Sequence, residues 1–515
     1  MLIETILDKA SQKFPDKAAV WFSNKWITYG EIFLKCNKVA YFLSQTGIKR
    51  GDRIALLYEN NVDYIISYYA ILKADAVVVA LNTELLSDSI QVILNHCNVT
   101  GIIVSQKYLS RISQIANNVK DLRLIIVGDS ASTEDHLFSF KTETTDLQSI
   151  YNQSTVPEIC NKSIDIDLSS IVYTSGSTGK PKGVMLSHLN IVQNSKSIVH
   201  YLQLTDRDRI MVVLPFYYVY GTTLFNTHFM SCGSVVIDNR FAYPNLVLEI
   251  MQKQEVTGFA GVPSTFVYLL NKSAIRDHIP FKSLRYMTQA GGHMAVSVQE
   301  EIVELIAPAK LIIMYGATEL SPRLTWLPPG RWSEKKGSIG IPIPNTEAFI
   351  ADEDGNRLSI DEEGEIVGRG SNVMMGYWKD PEATSQVIRN GLYYTGDIGR
   401  MDDEGFIYVV GRSKDMLKIG GNRVSTKEIE DAILQVESIE EVAVIGVTDP
   451  FLGEVAKAFV VTKNNSLLEE NILKQALSLK LPNYKIPKHF EFLTSLPKNE
   501  SGKILKPLLA DKSKS

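Results

Sequence analysis

One stretch of the sequence, residues 173–183, has the composition of a phosphate-binding loop. It reads YTSGSTGKPKG, and apolar, strand-like residues precede and follow it. Its glycines let backbone N–H groups approach a ligand, its hydroxyls add donors, and its lysines supply positive charge for a polyphosphate. The spacing differs from the Gly-x-x-x-x-Gly-Lys-Ser/Thr pattern of P-loop nucleotide hydrolases. A flexible Gly/Ser linker would rarely lie between two apolar strands, so we predict a phosphate loop of another kind.

A second polar cluster, MYGATE at residues 314–319, follows a predicted strand. The strand ends in a glycine turn, after which Thr318 and Glu319 bring a hydroxyl and a carboxylate. Ligands of open parallel sheets bind outside the carboxyl ends of the strands. Glu319 would bind Mg²⁺ there while nucleotide phosphates supply further oxygens, as hard cations prefer. The alternative is a carboxylate that only favours the dipole of a helix N-terminus.

Two later clusters contribute one charged residue each. YYTGD at 393–397 brings Asp397 to a turn, where a carboxylate suits ribose hydroxyls, although Gly-Asp is also common turn chemistry. LPKNESGK at 496–503 places Lys503 on a Gly/Ser loop, where a solvated surface lysine is the alternative. Neither cluster is specific alone, so the functional prediction depends on the order of all these clusters along the chain.

The composition is that of a large globular protein. With 515 residues the chain is long enough for about three domain-sized pieces, and 45% hydrophobic against 22% charged residues excludes disorder. The net charge of −5 gives no electrostatic footprint for nucleic acid. The cysteines are scattered without a C-x-x-C pair, which favours reduced thiols over disulfides or a zinc site. They are Cys36, Cys97, Cys160 and Cys232.

The sequence predicts neither a targeting segment nor a membrane span. Its first residues, MLIET, lack the basic and apolar regions of a signal peptide. The apolar run at 76–81 is strand-sized and too short to cross a bilayer. We therefore expect a cytoplasmic protein.

Strands that alternate with amphipathic helices must position these clusters. A capping box at 28–31 begins a helix that runs to about Gln45, and a second helix is predicted from Val62 to about Lys73. The alternation is typical of parallel α/β sheets. Only the polar stretch 130–164 breaks it, and we interpret that stretch as a surface excursion. Beyond about residue 337, short strands between Asp/Gly turns predict a β-rich subdomain.

Taken in order, the motifs identify a family. Phosphate loop, Tyr-Gly-x-Thr-Glu, Tyr-x-Gly-Asp, Gly-Arg-x-x-Asp and Pro-x-x-x-x-Gly-Lys follow one another. From about residue 28 to 506 the chain resembles the adenylate-forming (AMP-binding) superfamily of acyl-CoA synthetases, carrier-protein-loading adenylation domains and beetle luciferases. The resemblance implies a large N-terminal domain of α/β sheets at 1–410, with the β-rich subdomain at about 337–410. A hinge at 411–415 and a small, mobile α+β domain at 416–515 would follow.

The resemblance also implies a reaction. A small carboxylic acid would be activated with ATP and Mg²⁺ to an acyl-adenylate, with release of pyrophosphate. The acyl group would then pass to the thiol of CoA or of the phosphopantetheine on an acyl carrier protein. This chemistry depends on positioning and charge neutralisation, because a carboxylate must attack an anionic phosphate.

By the same resemblance, each predicted site residue has a role. The β- and γ-phosphates would contact Thr174, Ser175, Gly176, Ser177, Thr178, Gly179 and Lys182. The remainder of the nucleotide would contact Ala290, Gly291, Gly292, Tyr315, Gly316, Asp397 and Arg412. Thr318 would contact the α-phosphate, Glu319 would hold Mg²⁺, and Lys503 would bridge the substrate carboxylate and the α-phosphate. Lys414 would be the hinge residue, and Lys418 would enter the site after the small domain rotates, unless it is a solvated strand lysine.

The acyl pocket is the least specific part of the resemblance. Its predicted wall comprises Tyr217, Tyr218, Gly221, Gly261, Val262 and Gln289. The aromatic residues at 216–220 suit an apolar or aromatic acyl group, with core packing as the alternative. Tyr218 stands where many acyl-CoA synthetases have a histidine and where amino-acid-activating domains have an aspartate. Because a tyrosine cannot replace that negative charge, a generic α-amino acid is disfavoured.

Three other functions remain as alternatives. The first is an amino-acid adenylation enzyme that loads a carrier protein, and the second is a luciferase-like oxidase. The third is a catalytically silent nucleotide-binding protein. This last function is disfavoured because the chain has every charged residue of the motifs, namely Lys182, Glu319, Asp397, Arg412 and Lys503.

Overall fold

The computed structural model describes most of the chain. The described residues are 1–129, 142–154, 157, 159, 161–174, 181–278, 281–412, 416–419, 422–449, 453–463, 468–498 and 504–512. Several predicted site residues lie outside these ranges, namely Ser175, Gly176, Ser177, Thr178, Gly179, Lys414 and Lys503. For Lys418 the backbone is described and the side chain is not.

Strands and helices are numbered in chain order. The strands are β1 Ala18–Phe22, β2 Lys25–Thr28, β3 Arg53–Leu57, β4 Val77–Ala80, β5 Val99–Ser105, β6 Leu124–Gly128, β7 Glu143–Asp146, β8 Leu168–Thr174, β9 Lys182–Ser187, β10 Arg209–Val212, β11 Ser234–Ile237, β12 Gly258–Gly261, β13 Tyr286–Gln289, β14 Lys310–Tyr315, β15 Thr325–Trp326, β16 Ser338–Pro342, β17 Thr346–Ala351, β18 Gly364–Gly370, β19 Gly376–Tyr377, β20 Ile388–Arg389, β21 Leu392–Met401, β22 Ile407–Arg412, β23 Met416–Ile419, β24 Asn422–Ser425, β25 Ile439–Asp449, β26 Gly453–Thr462 and β27 His489–Phe492. The helices are α1 Thr5–Lys13, α2 Tyr29–Gln45, α3 Val62–Lys73, α4 Ser87–Cys97, α5 Leu109–Ser113, α6 Leu147–Tyr151, α7 His188–Leu202, α8 Val219–Met230, α9 Pro244–Lys253, α10 Pro263–Lys272, α11 Val296–Ile306, α12 Pro381–Val387, α13 Thr426–Leu434, α14 Glu470–Ser478 and α15 Lys506–Lys512.

Two large sheets contain the predicted α/β part of the chain. The first has the order β19-β9-β8-β4-β3-β5-β6-β7, in which β8, β4, β3, β5, β6 and β7 pair in parallel. The second joins parallel strands β1, β11, β10, β12, β13 and β14 to the antiparallel strands β15, β16, β22, β21, β18 and β17. The predicted α/β class, with an antiparallel part in its later residues, is therefore confirmed.

The sequence signals for helix ends are also confirmed. Helix α2 begins with a reciprocal capping box, in which the Thr28 side chain accepts from the Glu31 backbone and the Glu31 side chain accepts from the Thr28 backbone. Helix α3 begins after Asn61, whose side chain accepts from the Tyr64 N–H. Every residue of α3 except Asp63 is buried, because the helix lies in one apolar core together with α2, α7, α8 and strands of both sheets.

The stretch 130–164 contains more regular structure than the predicted surface excursion. Its described part includes β7 and α6. Strand β7 is polar and largely exposed, and among the described strands it pairs with β6 alone, at the edge of the first sheet. An edge strand of this kind buries little apolar surface, so it leaves no alternating hydrophobic pattern in the sequence.

The chain crosses from the second sheet to the first and back between β18 and β20. Within this crossing, β19 pairs with β9, and the Trp378 backbone N–H donates to the Gly183 carbonyl at 2.7 Å. The Asn190 side chain, near the start of α7, donates to the Ser371 and Val373 carbonyls at 2.7 and 2.9 Å. This crossing segment, residues 371–387, therefore connects the two sheets through hydrogen bonds.

The C-terminal part of the chain forms its own sheet and core. Strands β24, β23, β26, β25 and β27 make a five-stranded sheet, against which α13 and α14 pack. The contacts that join described residues of this unit to the preceding part include two polar ones: Ser425 donates to the Val410 carbonyl, and His293 Nε2 lies 2.7 Å from Asp431 Oδ1. Among the helices of the described ranges, none has the length and hydropathy needed to cross a bilayer.

A buried acid near the N-terminus gives the fold a pH-dependent stability. Glu4 is 2% exposed, and its Oε2 lies 3.5 Å from Nδ1 of the buried His188. Burial raises the pKa of Glu4 to about 8 and lowers the pKa of His188 to about 4. Because the Ile3 N–H donates to His188 Nδ1 at 3.2 Å, the imidazole is neutral, and the pair is a contact of neutral groups near pH 7.

We expect Glu4→Gln to stabilise the protein at high pH and to leave it unchanged at low pH. The pKa of Glu4 lies above its ordinary value of 4.5, so the folded state holds a proton that the unfolded state releases. Stability attributable to Glu4 therefore falls between about pH 4.5 and 8, by about 1.4 kcal/mol per pH unit within that window. Urea denaturation of both proteins from pH 4 to 9 measures the difference. The exposed Glu353→Gln is the control, and a difference independent of pH would contradict the expectation.

Candidate active site

Three predicted nucleotide-binding residues meet where β14, β21 and β22 come together. Tyr315, the last residue of β14, donates its hydroxyl to Asp397 Oδ2 at 2.5 Å. Arg412 Nε lies 2.9 Å from Asp397 Oδ1, since the two residues are opposite each other on β21 and β22. Burial and the Asp397 carboxylate hold the pKa of Tyr315 well above its ordinary value, so this phenol is a donor. The buried Asp397 carboxylate keeps lone pairs for further donors, such as ribose hydroxyls.

Glu319 lies in the loop that follows β14. The loop turns tightly at Gly316, where an added Cβ would lie 2.0 Å from the Pro322 carbonyl oxygen, and only glycine fits. Glu319 Oε1 accepts the hydroxyl of Tyr377 at 2.9 Å, and the Glu319 carbonyl accepts the Met374 N–H at 2.9 Å. The carboxylate is therefore oriented by a residue of the crossing segment.

Lys182 lies at the base of the predicted phosphate loop. It begins β9 directly opposite Thr174, the last residue of β8, so the two residues close the loop from both sides. The Lys182 Nζ atom lies 5.0 Å from the centre of the Tyr377 ring. Tyr377 thus contacts the predicted phosphate-binding lysine and the predicted metal-binding carboxylate.

Tyr377 is a functional candidate that the sequence analysis missed. Its strand, β19, has only two residues, which is too short for any periodic pattern. Its two partners are far away in the sequence and belong to motifs that precede it. The one local signal is Gly376, whose φ of 131° favours glycine and marks an unusual backbone path.

We expect Tyr377→Phe to raise the KM for MgATP by about tenfold, because a hydrogen bond to a charged group is worth about 1.5 kcal/mol or more. The phenylalanine ring keeps its contact with Lys182, so the variant isolates the hydroxyl bond to Glu319. Initial rates at fixed acid and varied ATP and Mg²⁺ measure the effect. Tyr243→Phe, at a residue that is 67% exposed, is the control. An unchanged KM for MgATP would show that Glu319 needs no support from Tyr377.

The single carboxylate of Glu319 suits a Mg²⁺ ion that is bound together with a nucleotide. Magnesium is usually bound through one or two carboxylates plus substrate phosphates and water. Among the described residues, no group of three or more His, Cys, Asp or Glu forms a metal cluster. Glu319, beside the phosphate loop, fits the single-carboxylate arrangement, and Mg²⁺ bound there would neutralise phosphate charge.

The predicted adenine and acyl residues lie at the carboxyl ends of neighbouring parallel strands. Gly261 ends β12 and pairs with Gln289, which ends β13 beside β14. The Gln289 side chain donates to the Gly292 carbonyl at 2.8 Å and so holds the turn of the Ala290, Gly291 and Gly292 backbone. Predicted wall residue Val262 follows β12 directly. This arrangement is the ligand-binding edge expected for such a sheet.

The aromatic residues before α8 differ in burial. Phe216 is fully buried and packs against Tyr64 and Phe225, with ring centres 5.3 and 5.0 Å apart, so it belongs to the core. The rings of Tyr217 and Tyr218 are 4.7 Å apart, and Tyr218 is partly exposed. A Cβ on Gly221 would lie 2.0 Å from the Pro215 carbonyl oxygen, which explains the glycine by close packing of the backbone.

Two further features were not anticipated from the sequence. Arg323, four residues beyond Glu319, is 3% exposed and lies against Tyr220. His293, next to the predicted adenine turn, pairs with Asp431 of the C-terminal unit. Neither residue belongs to a recognisable motif, and only the folded chain brings each to the site.

Comparisons with known proteins identify the family of the chain. The family described as AMP-binding enzyme matches residues 7–378, and the AMP-binding enzyme C-terminal domain matches residues 428–503. A long-chain-fatty-acid–CoA ligase of Bacillus subtilis (strain 168) is 32% identical, over 99% of this chain and 94% of the relative.

Solved structures of similar shape contain the expected ligands. An anthranilate CoA ligase in complex with anthranoyl-AMP superposes with a TM-score of 0.91 at 26% identity, over 100% of this chain and 97% of that one. The o-succinylbenzoate coenzyme A synthetase of Bacillus subtilis, in complex with ATP and a magnesium ion, has a TM-score of 0.84 at 26% identity, over 98% of this chain and 99% of that one. The chain therefore belongs to the AMP-binding enzyme family and is an AMP-forming acid–thiol ligase of the acyl-CoA synthetase type, which activates a carboxylic acid as its acyl-adenylate.

Proposed function

We propose that this ligase activates a fatty acid with MgATP and transfers the acyl group to coenzyme A in the cytoplasm. The relatives named as long-chain-fatty-acid–CoA ligases support both the acid class and the acceptor. The observation that carries the proposal is the convergence of Tyr315, Asp397 and Arg412 beside Glu319 and Lys182, since this set suits a nucleotide and its phosphates.

Each residue of this set has a separate task in nucleotide binding. Asp397 accepts the ribose hydroxyls and is held by Tyr315 and Arg412. The phosphate loop between Thr174 and Lys182 binds the β- and γ-phosphates through its N–H groups, hydroxyls and lysine. Glu319 would hold Mg²⁺, which would neutralise phosphate charge, and Thr318 would contact the α-phosphate. Ala290, Gly291 and Gly292 form the turn beside adenine.

The first half-reaction is a substitution at phosphorus. An oxygen of the substrate carboxylate attacks the α-phosphorus, a new P–O bond forms, and the bond to the β-phosphate oxygen breaks to release pyrophosphate. Both reactants are anions, so the residues contribute by alignment and positive charge. The ammonium of Lys503, placed between the carboxylate and the α-phosphate, lowers their repulsion in the transition state.

The second half-reaction is acyl transfer to sulfur. The thiolate of CoA attacks the acyl carbon, the thioester forms, and AMP leaves with the electrons of the acyl–oxygen bond. We propose that the C-terminal unit rotates about residues 411–415, with Lys414 as the hinge, so that Lys503 leaves and Lys418 enters. In support, β22 ends at Arg412 in the second sheet and β23 begins at Met416 in the separate five-stranded sheet.

The experiment that tests the function is a substrate and acceptor panel. Pyrophosphate release is measured with fatty acids, aromatic acids and amino acids, using hydroxylamine to trap the adenylate, and thioester formation is then measured with CoA and with a phosphopantetheinylated carrier protein. We expect release with fatty acids and transfer to CoA. Release with one amino acid and transfer to the carrier only would support the carrier-loading alternative. Absence of release with every acid, while ATP still binds, would support a silent nucleotide-binding protein.

A further inference from the structure

Arg323 is a buried cation with no anionic partner among the residues that the structure describes. Its side chain is 3% exposed, and its guanidinium carbon lies 4.0 Å from the centre of the Tyr220 ring. Nε lies 3.3 Å from the Met314 sulfur, and Nη1 lies 3.4 Å from the Pro322 carbonyl oxygen. Within the part of the chain that the structure describes, no carboxylate forms an ion pair with Arg323.

These neighbours leave the positive charge uncompensated. A thioether is a weak acceptor, and the carbonyl contact is long for a hydrogen bond. The hydroxyls of Tyr201 and Tyr220 also hydrogen-bond the Arg323 side chain. Burial raises the pKa of both tyrosines, so neither hydroxyl carries a negative charge. The Tyr220 ring offsets part of the cost of burial. Since buried guanidinium groups normally pair with carboxylates, the group that these neutral neighbours do not supply is an anion.

The backbone that carries Arg323 is held firmly. Two buried asparagines, Asn194 of α7 and Asn372 of the crossing segment, each donate to the Leu320 and Arg323 carbonyls, at 2.7 to 3.3 Å. Ser321 donates to the Asn372 carbonyl at 2.8 Å. The position of the guanidinium is therefore built into the fold and is not the chance conformation of a surface side chain.

The guanidinium lies beside the predicted acyl wall. Tyr220, which it covers, is on α8 between Tyr218 and Gly221, and the Tyr220 hydroxyl lies 2.9 Å from Thr288 Oγ1 at the end of β13. Met314, its other neighbour, directly precedes Tyr315 at the end of β14. The positive charge is thus placed between the helix predicted to bind the acyl group and the strand that leads to the nucleotide residues.

We propose that Arg323 binds a second carboxylate on the substrate, and that this ligase prefers dicarboxylic acids to fatty acids of equal length. The inference rests on the proposed function, because the ligand is the acid that this site activates. One carboxylate attacks the α-phosphate, while the other stays ionised and forms a bidentate pair with Arg323. The paired second carboxylate neutralises the buried guanidinium and fixes the distance from Arg323 to the reacting carboxylate.

The test compares acids that differ only in their far end. Adipic, suberic, sebacic and dodecanedioic acids are assayed against the monocarboxylic acids of the same length and against the monomethyl esters of the diacids, with CoA thioester formation as readout. We expect kcat/KM for the preferred diacid to exceed those for its monoacid and its monoester by about tenfold or more, because a buried polar group rejects a substrate that leaves it unpaired. A preference for monoacids at every length would overturn the proposal while leaving the fatty acid ligase intact.

Variants at Arg323 locate the preference. Arg323→Leu should abolish the preference for the diacid and raise activity with the monoacid. Arg323→Lys should keep part of the preference for the diacid. Arg207→Leu, at an exposed arginine, is the control and should keep the whole preference. An Arg323→Leu enzyme that keeps the diacid preference would overturn the role of Arg323. If no acid releases pyrophosphate, the proposed function fails, and calorimetric binding of the same diacids to the wild-type and Arg323→Leu proteins with AMP present still decides the inference. Binding that is equal in both proteins would refute it.

Discussion

Lys503→Ala should lower the rate of adenylate formation by about 10³-fold, because removing one positioned charge from a transition state costs about 10²- to 10³-fold or more. The same variant should convert a supplied acyl-adenylate and CoA into thioester at nearly the wild-type rate. The difference arises because Lys503 serves only the first half-reaction in the proposed two-position mechanism. Single-turnover measurements of pyrophosphate release and of thioester formation separate the two steps.

The flanking residues of Lys503 provide a matched control. Lys498 and Ile504 form an antiparallel bridge, and the Leu505 N–H donates to the Pro497 carbonyl at 2.8 Å, so the residues on either side of Lys503 pair with each other. Lys498 forms an ion pair with Glu441 inside that unit. Lys498→Ala removes an equal charge close by and should leave adenylation unchanged within about twofold, as exposed pairs contribute little. If Lys503→Ala slowed both half-reactions equally, one fixed position of the small domain would explain the data better.

Asp397→Asn should raise the KM for ATP by about 10²-fold or more and should affect both half-reactions that need bound nucleotide. Hydrogen bonds to a charged group are worth about 1.5–3 kcal/mol each, and the ribose would lose two of them. The change also leaves Arg412 without its carboxylate, and it replaces an acceptor oxygen by an N–H₂ group beside the Tyr315 hydroxyl. Nucleotide binding by calorimetry, together with the KM for ATP, measures the loss.

Single substitutions at the two partners of Asp397 indicate which contact contributes most to ATP binding. Tyr315→Phe removes one donor to the carboxylate and should raise the KM for ATP by less than about tenfold, since the charge and Arg412 remain. Arg412→Ala should have an effect between those of Tyr315→Phe and Asp397→Asn. A Tyr315→Phe enzyme as impaired as Asp397→Asn would mean that ring packing against the nucleotide, and not the carboxylate, dominates binding.

Local signals in the sequence predicted the elements that carry the site. The capping box at Thr28 belongs to α2 and the apolar residues of 62–73 belong to α3. Because each signal is local to its own helix, the predicted bounds of both helices were correct. Tyr315 ends β14 and Lys182 begins β9, as the polar motifs beside apolar strands predicted. The prediction that Asp397 lies at a turn was wrong, because the residue lies within β21, where it pairs with Arg412 on β22. The sequence could also place Tyr315 at the carboxyl edge of a parallel sheet. Lys182 and Asp397 lie on antiparallel strands of two different sheets, so their approach to that edge was not predictable from strand direction.

Contacts between distant parts of the chain were not predictable in the same way. The pairing of β19 with β9, which brings Tyr377 to Glu319 and Lys182, depends on two residues and on a crossing between sheets. Arg323 would be assigned to the surface by its charge alone, and only the folded loop shows that it is buried. Both cases require knowing which surfaces meet, which no single stretch of sequence contains.

The crossing segment between β18 and β20 has a consequence for how the protein loses its structure. Neither large sheet can come apart without breaking the pairing of β19 with β9 and the Asn190 bonds to this segment. The two sheets also share one core through α3, so melting either one exposes apolar surface of the other. Residues up to 412 should therefore melt as one cooperative unit with a single heat-absorption peak, and a second peak, where one is seen, should belong to the C-terminal unit with its separate core.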